Sequence, residues 1–133
     1  MATDARSMRR AISAVVIAAA VVRLLRTIGV PPLSRYVVDG TSMEPAFRSG
    51  DRVLVNRLAY RRRDPHAGEV VVLRDPERLG HVLLKRIATA PEGIVPGPSH
   101  IFVLGDNSAE SRDSRAFGTV PSSEIIGKAW LKY

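Results

Sequence analysis

From Ala11 to Val22 every residue except Ser13 is apolar, a run of Ala, Val and Ile that predicts a helix buried on all sides. On its own the run falls short of the roughly 20 residues that cross a bilayer. Carried on through Leu24, Leu25 and Ile28 it reaches that length, at the expense of including Arg23 and Arg26, whose long stems can snorkel to a headgroup layer. A spanning anchor is the reading that follows, with two competitors. At about 100° per residue Arg9, Ser13, Arg23, Arg26 and Thr27 fall on one broad side, as in a helix lying in the interface plane. A cleavable export signal also starts with arginines, yet Arg23 and Arg26 leave no clean small-residue cleavage site.

Gly29-Val30-Pro31-Pro32 ends the helix, because proline cannot continue it and holds its predecessor in extended conformations. Beyond it the pattern changes to short aliphatic runs separated by turn residues. Strands are predicted over Tyr36–Val38, Arg52–Asn56, Glu69–Leu73, His81–Thr89, Ile101–Leu104 and Ile125–Lys132. Ser49-Gly50-Asp51, Asp75-Pro76 and Pro96-Gly97-Pro98 punctuate them. The fold class expected is mostly β: one coiled, barrel-like antiparallel sheet over residues 33–133, preceded by a basic segment and membrane helix over residues 1–32.

Composition narrows the chemistry. The chain has 133 residues, enough for one ordinary domain and an appendage. Aromatics make up only 5% of it, so the core must be aliphatic. There is no cysteine, which removes disulfides and thiolate nucleophiles together. His66, His81 and His100 are scattered without ligand spacing, so neither a metal nor another cofactor is expected. The net charge of +7 favours anionic partners. Because Arg6, Arg9, Arg10, Arg23 and Arg26 flank the apolar segment, a lipid bilayer is expected as partner and nucleic acid is not. Arg61-Arg62-Arg63 reads as a solvated loop or a second headgroup contact.

Candidate chemistry lies in three stretches. In Asp39-Gly40-Thr41-Ser42-Met43-Glu44-Pro45 a strand ends in a glycine turn that exposes one serine, with Met43 apolar beside it and Pro45 stiffening the exit. A hydroxyl is a poor nucleophile until a base removes its proton. Of the three lysines, Lys85 stands out: strand alternation sets Leu83, Lys85 and Ile87 on one face and Val82, Leu84 and Arg86 on the other. An ammonium among aliphatic side chains loses hydration, and its pKa falls towards neutrality. Arg86 stays charged and cannot substitute. The third stretch runs from Gly105-Asp106-Asn107 to Phe117-Gly118. If it is extended, Ser111, Asp113 and Arg115 share a side, so that Asp113 pairs with Arg115 while the Ser111 hydroxyl turns towards a neighbour such as Lys85. Each stretch alone has a bland reading, as a turn serine, a snorkelling lysine and a polar loop.

Together, GTSMEP, LLKRI and GDNSAESRDSRAFG resemble, in order, the motif boxes of type I signal peptidases across about residues 36–133. The resemblance implies a membrane-anchored serine endopeptidase that cleaves signal or leader peptides from precursor proteins, single-pass in the cell membrane with its catalytic domain extracytoplasmic. It implies Ser42 as nucleophile, Lys85 as general base, Ser111 as the residue orienting that base, and Asp113 with Arg115 as a structural ion pair. Substrate is implied to add as an extended strand along Tyr36, Val37, Val38 and Asp39 and along Val82, Leu83 and Leu84, near Met43. Two departures stand out. Many bacterial members carry an oxyanion-donating serine where this chain has Gly40, and larger ones insert a second β domain where only Ala90–Pro98 lies here.

The short link is similar to that of the mitochondrial inner-membrane peptidases and of the peptidase that matures nickel superoxide dismutase, the alternative substrate reading. A self-cleaving repressor protease would use the same dyad, but it needs a DNA-binding helix pair that residues 11–22 are too apolar to form. A non-catalytic basic β module at a membrane is the reading from another class.

Overall fold

The computed structural model describes residues 13, 15–24, 27 and 32–133, which fall into two units divided after Val30. In the first, residues 15–24 are helical, and their larger side chains, including Val15, Ile17 and Leu24, are exposed within that unit. The Thr27 hydroxyl donates to the Arg23 carbonyl at 2.6 Å. Among the described residues no helix is long and apolar enough to cross a membrane. The span expected over residues 11–28 lies partly outside the described residues.

The second unit is a curled antiparallel half-barrel of seven strands: β1 Leu33–Val37, β2 Arg52–Asn56, β3 Val70–Arg74, β4 Val82–Ala88, β5 His100–Leu104, β6 Val120–Pro121 and β7 Ile125–Lys132. Their spatial order is β1-β2-β7-β3-β4-β5-β6, so the last strand in sequence sits near the middle and ties the early pair to the later ones. The ladders of β7 slip register at Leu54/Val55 and again at Val72/Leu73. Such irregularities bend a strand and increase its twist, which helps the sheet to curl.

Both faces of the sheet carry apolar clusters. Val71, Leu73, Ile87, Ile101, Val103 and Val120 form one, and Val53, Val55 and Val72 form the other. This accounts for β3, where four consecutive residues, Val70 to Leu73, are buried: a strand covered on both sides needs no polar alternation. β4 follows its alternation, with Leu83 and Ile87 at the first cluster and Leu84 at the second.

The six expected strands are present, β2 and β7 with the expected bounds and the other four with shifted ends, and β1 begins three residues earlier than its apolar run suggests. The seventh, β6, is two residues long and ends in proline, too short to leave a periodic signal. One local expectation is corrected. Asp113 to Arg115 is not extended, because Asp113 caps a four-residue helix, Ser114–Phe117, and its side chain accepts from the Arg115 backbone N–H.

Candidate active site

The Ser42 turn is built from its two ends. At the exit of β1 the backbone of Val38 exchanges hydrogen bonds with Asp51 and Gly50, each at 2.8 Å. Gly40 then turns the chain at φ +91°, a conformation that side-chain-bearing residues resist. Met43 is buried beneath the turn, and Ser42 is left half-buried. From the other side Asn107 grips it: its N–H donates to the Ser42 carbonyl at 2.9 Å and its side-chain amide to the Thr41 carbonyl at 3.2 Å.

Lys85 reaches this turn from β4. It is only 3% exposed, and its Nζ lies 2.8 Å from Ser42 Oγ and 3.1 Å from Ser111 Oγ. The Ser111 hydroxyl donates in turn to Asp113 Oδ2 at 2.7 Å. Asp113 is wholly buried and accepts further bonds from the Gly105 N–H and from the Nε, Nη2 and backbone N–H of Arg115. The five polar residues named from sequence, Ser42, Lys85, Ser111, Asp113 and Arg115, thus form one connected chain.

The electrostatics follow from burial and from these partners. Burial pushes the Lys85 amine below its ordinary pKa, the nearby Asp113 carboxylate opposes that, and the guanidiniums of Arg112 and Arg115 reinforce it. For Asp113, burial acts to raise the pKa, but the Arg115 guanidinium, the Gly105 N–H and the Ser111 hydroxyl outweigh it and hold the carboxyl well below the usual range. No buried side-chain polar atom among the described residues lacks a partner.

A cleft of about 190 Å³ opens beside the dyad. Tyr36, Val37, Val38 and Asp39 line one wall, and Val82, Leu83 and Leu84 the other, with Ser42, Lys85 and Met43 at one end. Val53 and Val72, which the sequence did not single out, complete its lining. The ladder between β4 and β5 covers only Arg86 to Ala88, so Val82 to Leu84 pair with β3 alone and leave their other backbone edge open. Among the described residues no cluster of three His, Asp or Glu side chains is placed to hold a metal ion.

Three contributors escaped the sequence reading. Gly105 is buried where an added Cβ would come within 2.6 Å of the Ser42 carbonyl oxygen, so glycine there permits the two loops to meet. Asn107 holds the Ser42 turn through the Ser42 and Thr41 carbonyls. Arg86, set aside as a base, binds Asp106 through two 2.8 Å bonds and anchors the same loop to β4. Gly105, Asp106 and Asn107 stand together in the third motif, the signal that could have pointed to them.

The curled β sheet thus brings a serine hydroxyl against a buried lysine amine. The sequence model of the family described as signal peptidase, peptidase S26, matches residues 8–96 and 89–133, and the chain belongs to that family. It is 34% identical over 106 residues to the mitochondrial ATP-independent inner membrane protease subunit 1b of Arabidopsis thaliana, covering 67% of this chain and 63% of that protein. Over 136 residues it is 27% identical to the probable signal peptidase I-2 of Synechocystis sp., covering 75% and 62%. It is 28% identical over 137 residues to signal peptidase I V of Bacillus subtilis, covering 69% and 80%. The chain thus spans a little under two thirds of the length of the first two relatives.

Proposed function

We propose that this chain is a serine endopeptidase that removes signal or leader peptides from precursor proteins through a Ser42–Lys85 dyad. The observation that carries the reading is the buried Lys85 Nζ, 2.8 Å from Ser42 Oγ and 3.1 Å from Ser111 Oγ. A neutral amine there keeps one N–H on Ser111 and directs its lone pair at the Ser42 proton. As Ser42 Oγ attacks the scissile carbonyl carbon, Lys85 takes the proton, and the resulting ammonium returns it to the leaving amine. The ester left on Ser42 is hydrolysed by a water that Lys85 deprotonates in the same way. Asp113, fixed by Arg115, holds Ser111 and through it the amine. The Ser42 N–H meets the developing oxyanion. Gly40 offers no hydroxyl for this, and such a donor is typically worth about 3 kcal/mol of barrier.

The open edge of β4 at Val82 to Leu84 and the facing residues Tyr36 to Asp39 favour an extended peptide that adds as a strand, with small apolar side chains entering the cleft. The domain division at residues 32 and 33, single-pass anchoring by the N-terminal apolar segment, and an extracytoplasmic catalytic domain belong to the same proposal. The basic, apolar N-terminal sequence supports anchoring, as does likeness to a relative named as an inner membrane protease.

The test incubates the purified protein with a set of exported precursors and a nickel superoxide dismutase precursor, with cut sites read by mass spectrometry. Cleavage is expected after small residues. Ser42→Ala and Lys85→Ala should each remain folded by circular dichroism and cut nothing. Persistent cleavage by either folded variant overturns the reading.

A further inference from the structure

Arg112 follows Ser111 directly, yet it has no part in the chain of contacts from Ser42 to Arg115. Its side chain turns away to the β3–β4 turn, where Nη2 binds the Asp75 carboxylate and Nη1 the Glu77 carboxylate at 2.8 Å. The guanidinium also lies over the Phe117 ring, 5.4 Å from its centroid. Asp75 is an unusual anchor for a surface turn, since its side chain is 1% exposed. Its other oxygen accepts the backbone N–H groups of Glu77 and Arg78 at 2.9 and 3.2 Å, and its own N–H donates to the His81 carbonyl. Val82, the first residue of β4 and of the cleft wall, comes immediately after. The clamp therefore joins the root of β4 to the residue next to Ser111, while the Arg86–Asp106 pair joins β4 to the same loop further along. A loosely solvated arginine would need neither a buried carboxylate nor an aromatic face.

Resting on the serine–lysine reading above, we propose that Arg112 is a positioning residue of the site. Clamped by Asp75 and Glu77, it holds Ser111 against Lys85 and keeps a fixed positive charge beside that amine. The charged groups acting on Lys85 are Asp113 and Arg115 from the loop and helix, Arg112 beside Ser111, and Asp75 from the end of β3. Across the ladder β3 presents only Val71. Arg112 and Arg115 disfavour the ammonium, whereas Asp113 and Asp75 favour it. Within the clamp Arg112 thus sets a cation against Asp113, the carboxylate that most favours the ammonium.

The experiment measures kcat/KM against pH for a synthetic peptide spanning a signal-peptide cleavage site. Wild type, Arg112→Gln, Arg112→Lys and Asp75→Asn are compared, each checked for folding by thermal melt. In Arg112→Gln the acid limb should move to higher pH by on the order of half a unit. That loses about threefold on the limb, on top of the pH-independent loss expected from a displaced Ser111. Arg112→Lys should keep the limb near its wild-type position. Asp75→Asn, in which the amide oxygen can still cap the turn and Glu77 can still hold Arg112, should move the limb to lower pH. A purely structural clamp would reduce the rate at every pH and leave the limb in place, and that result with folded Arg112→Gln overturns the proposal. Should Arg112→Gln not fold, Asp75→Asn decides: a downward shift supports the proposal and an unmoved or raised limb overturns it. Failure of wild type to cut any precursor would instead strike the serine–lysine reading.

Discussion

Lys85 Nζ and Ser42 Oγ lie 2.8 Å apart although 43 positions separate the two residues in sequence. Nothing local holds them together. Ser42 sits in a turn at the end of β1, the edge strand of one arm of the sheet, and Lys85 on β4 in the other arm, with β2, β7 and β3 between. The dyad therefore depends on the curl of the whole sheet and on the loop from Gly105 to Arg115. That loop touches both arms through Asn107 on the Ser42 turn and Arg86 on Asp106.

Asp113 is the residue on which that loop should depend most for stability. It is wholly buried and accepts from one guanidinium, one hydroxyl and two backbone N–H groups. Asp113→Ala should destabilise the fold by about 3–5 kcal/mol, the usual cost of breaking a buried pair from one side. Arg115→Ala should cost less, because Arg115 is half exposed and Asp113 keeps its other donors. The sign for pH follows from the lowered pKa. The stabilisation is present above the ordinary value of 3.8, and it is lost as pH falls below that through the folded-state value. Denaturant melts of both variants and of wild type between neutral pH and pH 2 check the order and the acid loss.

Much of this arrangement was legible in the residues, and what was not has a physical reason. Aliphatic runs and turn residues gave the six longer strands, because burial on a sheet leaves a periodic or continuous apolar trace. The proline-ended pair Val120–Pro121 leaves none. Ser42, Lys85, Ser111, Asp113 and Arg115 could be named from three short motifs that resemble, in order, those of a known family. The route by which Asp113 meets Arg115 was misread: the charge pair is visible in sequence, but whether it spans a strand or caps a helix depends on the Gly105 N–H and on the Ser114 hydroxyl, which accepts from the Val103 N–H at 2.9 Å. Gly105, Asn107 and Arg112 act through contacts with distant turns, and their partners are set by tertiary packing alone.

Two glycines give a paired test of that packing. At Gly40 an added Cβ meets nothing within 4 Å, so Gly40→Ala is opposed only by its φ of +91°. A loss of about 1–2 kcal/mol is expected, with cleavage retained at low temperature. At Gly105 the same Cβ would meet the Ser42 carbonyl at 2.6 Å as well as the Ser111 side chain. Gly105→Ala must push the Ser42 turn away from the loop. A comparable stability loss of about 1–3 kcal/mol is expected from overpacking, but here cleavage should fall at every temperature at which the protein is folded. Melting curves with peptide-cleavage rates for the two variants separate backbone strain from displacement of the dyad.

The buried lysine should cost the fold stability in a manner that reverses with pH. Burial lowers the Lys85 pKa from 10.5, so below the folded-state value the native protein must either bury an ammonium or give up the conformation. The unfolded chain binds that proton more readily, and stability therefore rises as pH climbs from the folded-state pKa towards 10.5. Replacing the amine by an apolar side chain of similar length removes the penalty. Lys85→Met should therefore be inactive yet more stable than wild type by on the order of 1 kcal/mol at neutral pH, with the gap closing as the wild-type amine loses its proton in alkali. In wild type the cleavage rate should fall with decreasing pH over the range in which that amine becomes protonated, because an ammonium cannot take the Ser42 proton. Urea melts of the two proteins at several pH values, set beside the cleavage profile, test both halves. A Lys85→Met variant less stable than wild type at neutral pH would mean that the hydrogen bonds to Ser42 and Ser111 outweigh desolvation of the amine.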